Sequence, residues 1–325
     1  MPNPVLVEVT RGALVESIHR GAVAIAAADG TLRFALGDVD NPVFTRSSLK
    51  PIQALPLIES GAAEAFGLSD QEVALACASH SGEPMHVERV AAWLERIGCG
   101  EADLECGPQW PRYEPTSRAM AATHEKPSRL HNNCSGKHTG FLTLARHLGA
   151  PVQGYVSVAH PVQQAVLTSL AKLSGVADPA WGVDGCAAPN FALPLAAFAR
   201  ALALLAGHQT PGAERILRCM MAYPELVGGT GRSCTILMRA AAGKAAVKIG
   251  AEGVYAAMLP GLGLGVAIKI DDGAGRGAET AIAAVLEKLG AIPPDGELVR
   301  APIRNTRDTV VGERRPSEAL AGILI

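Results

Sequence analysis

The segment GAVAIAAADGTLRFAL, residues 21–36, carries the pattern that decides the fold class. Its two β-like runs flank Asp29-Gly30, a dipeptide typical of the tight turn in a β-hairpin. Further β-like runs lie towards the other end of the chain, at 234–238, 245–249, 253–259 and 265–270. The residues between these two groups show mainly helical periodicity. We therefore predict an α/β (α+β) fold with one antiparallel sheet built from the N- and C-terminal segments, flanked by helices and interrupted by a helical insertion.

The same pattern predicts how the chain is organised. The sheet-containing part is expected at about 1–60 and 231–325, and the mainly helical part at about 61–230, with the whole chain 1–325 forming a single unit. A helix is predicted at 69–78, where Ser-Asp-Gln-Glu forms an N-terminal cap. Further helices are predicted at 84–98, 138–148, 160–174 and 193–223, followed by a last helix at about 276–289 and an irregular tail.

Composition excludes several classes of protein. The 325 residues are 48% hydrophobic, and 29 Lys and Arg nearly balance 31 Asp and Glu, so the chain is neither disordered nor a basic nucleic-acid binder. No secretory signal is recognisable at the N-terminus, and the most apolar stretch, 191–206, is too short to span a bilayer. Seven cysteines without a CxxC motif suit a reducing cytoplasm. We expect a cytoplasmic protein without membrane or nucleic-acid partners, and its Ala-rich, weakly charged surface predicts a homodimer.

Ser47 and Lys50 form the first chemically informative pair. Residues three apart on a helix share a face, so a lysine amine there can lie beside the hydroxyl and take its proton. The motif is weak by itself, because Ser169 and Lys172 repeat it inside an ordinary amphipathic helix. Ser47 could equally be a simple helix N-cap.

Two further polar strings stand out. Residues 79–83, Ser-His-Ser-Gly-Glu, end an apolar helix and could be either a helix C-terminus or a second strand of site residues. Residues 131–138, His-Asn-Asn-Cys-Ser-Gly-Lys-His, gather a thiol, an amine and two imidazoles just before a helix. Cys134 and Cys186 could form half of a zinc site, with His138 as the third ligand by spacing, or both could be inert buried thiols.

Lys248, at a strand end, could be solvated or could reach over a sheet edge.

In combination these strings resemble the rhizobial-type L-asparaginase family, also called asparaginase II or class 3. The strings that carry the resemblance are 4–12, 46–51, 79–83, 133–138, 184–186, 229–232 and 248–253. The family looks like a distant relative of serine β-lactamases and glutaminases, which agrees with the predicted sheet and helical insertion.

The resemblance implies roles for particular residues. It pairs Ser47 with Lys50 and Ser79 with Lys248, and it implies a zinc ion held by Cys134, Lys137 and Cys186 with a water molecule. Here it favours Lys137 over His138. The further candidates for substrate binding are Arg46, His80 and Asp184.

The function implied is hydrolysis of L-asparagine to L-aspartate and ammonia through an acyl-enzyme on Ser47. The alternatives are a glutaminase or β-lactamase-like serine acyl hydrolase, which would use the same chemistry on another acyl group, and a non-catalytic zinc or amino-acid sensor. Zinc is expected to position the substrate, because two Ser–Lys pairs already supply a nucleophile and a base.

Overall fold

A computed structural model describes residues 2–323, which form two compact units. The first unit comprises the chain up to Ser48, Ala192–Gln209 and the chain from Leu237; the second comprises Leu49–Phe191 and Thr210–Ile236. The elements of the first unit are β1 (Val5–Arg11), β2 (Leu14–Ala27), β3 (Leu32–Leu36), β4 (Pro42–Phe44), α9 (Leu195–Ala206), β7 (Ala246–Ile249), β8 (Val254–Leu259), β9 (Leu264–Ile270), α13 (Gly275–Lys288), β10 (Ala301–Arg304), β11 (Val310–Pro316) and α14 (Glu318–Ala321).

The first unit is built on an eight-stranded antiparallel sheet. Its strand order is β10-β11-β1-β2-β9-β8-β7, with β3 paired to β2 on one stretch of that long strand. The predicted hairpin is present, since Val23 of β2 lies opposite Leu36 of β3. N-terminal β2 also pairs with C-terminal β9, from Gly21 opposite Ile270 to Ala27 opposite Leu264. The predicted fold class, a sheet made from both ends of the chain and combined with helices, is therefore confirmed.

Helix α9 packs very closely on this sheet. A side-chain Cβ at Gly265 of β9 would lie only 2.1 Å from the backbone nitrogen of Ala203 and 2.4 Å from the oxygen of Ala199, so only glycine fits. Helix α13 also packs against β8 and β9. Every residue of β8 is buried, as expected of a strand covered on both faces.

The second unit is mainly helical. Its helices are α1 (Lys50–Gln53), α2 (Leu55–Glu59), α3 (Ala62–Ala65), α4 (Asp70–Ala76), α5 (Pro84–Arg96), α6 (Glu114–Ala122), α7 (Ser135–His147), α8 (Pro161–Ser174), α10 (Pro211–Ala222) and α11 (Pro224–Val227), with the short strand β5 (Trp181–Val183). Two elements lie across the boundaries of the units: β6 (Pro189–Pro194) and α12 (Ser233–Ala241).

Helix α7 is the centre of the second unit. It contacts α2, α3, α4, α5 and α8, and its residues are buried without interruption from Ser135 to Ala145. A helix buried on all sides has a fixed position, because any rotation would disturb packing around its whole circumference. Cys134, Lys137 and His138 lie at or next to its N-terminus and are therefore held rigidly.

The prediction of a strand at 234–238 was wrong, because these residues belong to helix α12. A short apolar run does not by itself distinguish a strand from a helix. The buried positions include Cys234, Leu237, Met238 and Ala241, whose spacing of three and four residues is that of one helix face. A longer window, extended to Ala241, would have favoured the helix.

The prediction of an irregular tail was also wrong. Strands β10 and β11 form a hairpin after α13, and β11 pairs with β1, so that Val7 lies opposite Pro316. Three consecutive charged residues, Glu313, Arg314 and Arg315, concealed this strand, whose residues are at most half buried. Among residues 2–323 no helix combines the length and apolar character that a membrane crossing requires.

Ser69 provides a direct test of the helix signals read from the sequence. Its side chain accepts a hydrogen bond from the Glu72 backbone N–H, while the Glu72 carboxylate accepts one from the Ser69 N–H. We expect Ser69→Ala to lower the free energy of unfolding by about 1 kcal/mol, measured by urea denaturation. The control is Ser169→Ala inside α8, which should leave stability unchanged or slightly raise it. Equal losses in both variants would contradict the capping role.

Candidate active site

The buried ammonium group of Lys50 organises the polar centre of the second unit. Lys50 begins helix α1 and is only 1% exposed. Its Nζ donates to the carbonyl oxygen of Ala78, to Ser79 Oγ at 3.0 Å and to Cys134 Sγ at 3.1 Å. These three acceptors match the three N–H bonds of an ammonium group. The sequence motif placed Lys50 with Ser47, and the structure adds Ser79 as a direct partner.

Backbone hydrogen bonds hold Ser79 beside Lys50. The Ser79 N–H donates to Val227 O at 2.9 Å, and the His80 N–H donates to Asn133 O at 3.1 Å. The segment that follows α4 is therefore fixed between the end of α11 and the loop that leads into Cys134. The interpretation of residues 79–83 as site residues stays a prediction.

Cys134 and Cys186 act as a coupled pair facing two lysines. The hydrogen bond from the Cys134 thiol is the main cause that lowers the pKa of Cys186 to about 4, and Lys137 and Lys50 add to it against the effect of burial. The same hydrogen bond, with burial, raises the pKa of Cys134 to about 12. Burial opposes the charge of Lys137, but the neighbouring Cys186 thiolate outweighs it and raises the Lys137 pKa. The Cys186 sulfur therefore faces Lys137, while the Cys134 sulfur accepts a hydrogen bond from Lys50.

A tight turn presents Cys186 to Lys137. The Asp184 N–H donates to Ala188 O at 2.9 Å, and Ala187 adopts a φ of 71° to close the turn. Lys137 Nζ then donates to Cys186 Sγ at 3.1 Å. Asp184 contributes to the raised pKa of Lys137, so its carboxylate lies near the lysine, as expected for a residue next to the predicted metal ligands.

His80 is completely buried and uses both ring nitrogens. Nδ1 accepts from the Gly82 N–H at 3.1 Å, and Nε2 lies 2.8 Å from Ser135 Oγ. Because Ser135 Oγ donates its own proton to Leu130 O, the hydrogen of the imidazole must be on Nε2. A contact between His80 and a substrate would require one of these bonds to break, so its predicted binding role stays a prediction.

His138, the ligand suggested by spacing, faces a tyrosine. The Glu105 N–H donates to Tyr155 Oη at 2.7 Å, and Tyr155 Oη lies 2.7 Å from His138 Nδ1, so the tyrosine proton points at the imidazole. Burial lowers the pKa of His138 to about 3. Nε2 therefore carries the imidazole proton, and it has no hydrogen-bond partner among the described residues. Of the adjacent residues Lys137 and His138, Lys137 is the one whose side chain contacts Cys186.

The loop around Gly229 is fastened to residues 79–83 by a buried carboxylate. Glu83, 5% exposed, accepts from the Thr230 N–H at 2.8 Å and from Thr230 Oγ1 at 2.6 Å. Ser81 Oγ donates to Gly228 O at 3.0 Å. These side-chain hydrogen bonds join residues 79–83 to the loop before α12, in addition to the backbone bond of Ser79.

The remaining candidates, Arg46, Ser47 and Lys248, belong to the first unit. Arg46 has a φ of 50°, an uncommon conformation for a residue with a side chain, and the half-buried Ser47 follows it at the start of a 3₁₀ turn. Strained backbone of this kind often occurs at functional positions. Lys248 is fully buried on β7, and its Nζ donates to Ile249 O at 2.8 Å. The pairs Ser47–Lys50 and Ser79–Lys248 stay predictions.

The residues of the second unit suit a zinc ion chemically. Two thiols and an amine, adjacent and buried, supply the sulfur and nitrogen donors that zinc prefers. Residues 2–323 contain no cluster of three His, Cys, Asp or Glu side chains suited to a metal ion, so the zinc site with Lys137 as its third ligand stays a prediction. Zinc binding here would require Cys134 and Lys137 each to lose a proton.

Several residues of the centre were missed by sequence reasoning. Cys106 is buried, and its pKa rises to about 12 through burial, reinforced by Cys134 and Cys186. Tyr155 and Glu105 reach His138 from loops distant in the sequence. No local pattern marks these residues, so only their positions in space reveal them. Glu83 could have been singled out, since it ends the string already recognised at 79–83.

Comparison with known proteins now gives the family. A sequence model of the L-asparaginase II family matches residues 7–316. The chain belongs to the L-asparaginase II family. The resemblance inferred from the motifs is therefore confirmed, and the protein is an amide hydrolase. A search of curated proteins finds no match.

Solved structures show only distant similarity to this member of the L-asparaginase II family. Mglu in its native form is 16% identical with a TM-score of 0.49, and the match covers 91% of this chain and 71% of Mglu. A beta-lactamase from Mycobacterium bovis is 13% identical with a TM-score of 0.38, over 82% of this chain and 94% of that protein. At this distance neither match identifies a substrate.

Gly229 tests whether the Ser79 segment depends on its contact with the loop. A Cβ there would lie 2.3 Å from Ser81 Oγ and 2.7 Å from Glu83 Oε1, and the residue has a φ of 109°. We expect Gly229→Ala to lower the free energy of unfolding by roughly 3 kcal/mol or more, through overpacking added to backbone strain. Gly231, with a φ of 69° and open space around a Cβ, is the control: Gly231→Ala should cost only about 1–2 kcal/mol. Denaturant unfolding of both variants measures the difference, and equal costs would contradict the close contact.

Proposed function

We propose that this protein hydrolyses L-asparagine to L-aspartate and ammonia through an acyl-enzyme on serine. The observation that carries the proposal is the contact of Lys50 Nζ with Ser79 Oγ in a chain whose match to the L-asparaginase II family extends over residues 7–316. A buried lysine hydrogen-bonded to a serine is the element that acyl transfer without a catalytic histidine requires. Ser79 is 7% exposed, so this contact is protected from bulk water.

The roles assigned to the two serines differ. Ser47, half-buried and three residues before Lys50, is the proposed nucleophile, and Lys50 in its neutral form takes the hydroxyl proton as Ser47 attacks the side-chain carboxamide. Lys50, now charged, donates to Ser79 Oγ as it does in the structure. Ser79 passes its own proton to the nitrogen that leaves as ammonia. Water then attacks the β-aspartyl ester, and the proton returns to Ser47 by the reverse route.

Other groups support this chemistry in the proposal. Backbone N–H groups near Ser47 would stabilise the oxyanion, and Lys248 would assist the proton relay of Ser79. Arg46, His80 and Asp184 are the substrate-binding candidates. Cys134, Lys137 and Cys186 would hold zinc, whose positive charge would help to position the substrate. The homodimer and the cytoplasmic location stay predictions.

Ser47→Ala tests the nucleophile. We expect ammonia release from L-asparagine to fall by roughly 10⁴-fold or more, since removing the attacking group leaves only binding effects. Ser169→Ala is a matched control, because Ser169 and Lys172 have the same spacing within α8, and it should retain full activity. L-glutamine and a chromogenic cephalosporin, assayed in parallel with the wild-type protein, test the related acyl hydrolases.

Other outcomes have clear meanings. Mass spectrometry of an acyl-enzyme trapped by rapid acid quench should find the adduct on Ser47; an adduct on Ser79 would reverse the two roles. A wild-type protein that is stabilised against heat by L-asparagine but releases no ammonia from any substrate would be a sensor, and the enzymatic proposal would fail.

Metal content tests the zinc site. We expect about one zinc ion per chain in the wild-type protein by inductively coupled plasma mass spectrometry, and none in Cys134→Ser or Cys186→Ser, because two ligands from the protein do not retain the ion. Cys106→Ser is the control, since this buried thiol lies close to the same cluster but is not a proposed ligand. Zinc loss that raises KM more than it lowers kcat would support positioning of the substrate, and the opposite split would contradict it.

A further inference from the structure

Two arginines flank the Ser79 segment in the second unit. Arg112 lies after Pro111, and its N–H donates to Ser81 O at 2.9 Å. Arg232 follows the Gly-rich loop, and its N–H lies 3.3 Å from Gly229 O. Arg112 is therefore attached directly to the segment that bears Ser79, whereas Arg232 bonds within its own loop, which Ser81 and Glu83 join to that segment.

The attachment of both loops is rigid. On one side, a Cβ at Gly82 would lie 3.1 Å from Pro111 Cα, so the backbones of the two segments are in direct contact. On the other side, Glu83 holds Thr230 through two hydrogen bonds, and the Gly229 backbone lies against the Ser81 side chain. Positions 112 and 232 are thus fixed relative to Ser79 and to each other.

Neither guanidinium group is neutralised. Within residues 2–323, the Arg112 and Arg232 side chains form no hydrogen bond and no ion pair. Most other arginines of the second unit do so, as Arg96 does with Glu72 and Arg218 with Asp70. The two groups also act on each other, because desolvation and then the charge of Arg232 lower the pKa of Arg112, while Cys134 acts in the opposite direction. Two uncompensated cations near a thiol of the site favour an anion.

We propose that Arg112 and Arg232 together bind the α-carboxylate of the amino-acid substrate. A planar guanidinium can donate two parallel hydrogen bonds to a carboxylate, so two arginines can hold both oxygens and fix the direction of the substrate. The carboxamide of the substrate would then be oriented towards Ser79 while its other end is anchored. This assignment rests on the proposed function.

Direct binding tests the proposal separately from catalysis. The probes are L-aspartate and its α-amide, isoasparagine, which has the same side chain but lacks the α-carboxylate. By isothermal titration calorimetry we expect the wild-type protein to bind L-aspartate roughly 10- to 100-fold more tightly, the range that a charge-assisted hydrogen bond provides. Arg112→Gln and Arg232→Gln should remove most of this preference. Both variants should unfold at the wild-type temperature, because the side chains they lose have no partner among residues 2–323.

Kinetics supply the second readout. In the same two variants the KM for L-asparagine should rise roughly 10- to 100-fold, with kcat changed by less than about threefold. Arg112→Lys, which keeps the charge without the planar fork, should give an intermediate KM. The control is Arg118→Gln, which removes an exposed arginine paired with Glu114 and should change neither binding nor KM.

The results separate the two proposals. A wild-type protein that prefers L-aspartate over isoasparagine, but releases no ammonia, would retain the carboxylate site and lose the asparaginase function. Ammonia release from asparagine, with wild-type KM and wild-type L-aspartate affinity in both folded glutamine variants, would overturn the carboxylate site and leave the function standing.

Discussion

The burial of the Lys50 ammonium group is the constraint on which the rest of the site depends. A charged group removed from water is tolerated only where hydrogen bonds replace its hydration. Lys50 obtains three such partners. Two are the consecutive residues Ala78 and Ser79, which follow α4, and the third is Cys134, the residue before α7. The placement of Ser79 and Cys134 therefore follows from the need to satisfy one amine.

Charge balance around this amine explains the unusual states of the two thiols. Burial opposes the charge of Lys137, and the neighbouring Cys186, whose pKa is lowered, offsets this cost. The arrangement keeps a thiolate and an amine in contact at 3.1 Å. The same donors that stabilise one another as an ion pair are the donors that a zinc ion would take after two protons leave.

Rigid neighbours keep this centre in place. Helix α7 is buried along eleven consecutive residues from Ser135 to Ala145, and His80 and His138 each use a ring nitrogen to connect a loop to that helix. The Glu83 carboxylate adds a connection to the Gly229 loop. A reaction that requires positions accurate to a fraction of an ångström is better supported by such elements than by solvated loops. The positively charged side chains at Arg112 and Arg232 benefit from the same support.

The sequence by itself determined the hairpin at 21–36, the Ser69 cap, the closure of one sheet by both ends of the chain and, through its ordered motifs, the family. Hairpin turns, caps and hydrophobic period are local properties, and they are visible in neighbouring residues. The strand predicted at 234–238 is part of a helix, because a five-residue apolar run fits both the strand and the helix periodicity. Strand β11 was missed because a half-buried strand with charged residues has a weak hydrophobic pattern. The tertiary structure alone decided that Lys50 contacts Ser79 and Cys134, that Cys186 lies against Lys137, and that two arginines near the Ser79 segment have no side-chain partner among residues 2–323. These contacts join residues far apart in the chain, so their energies depend on which backbones meet in space, and no local pattern encodes that.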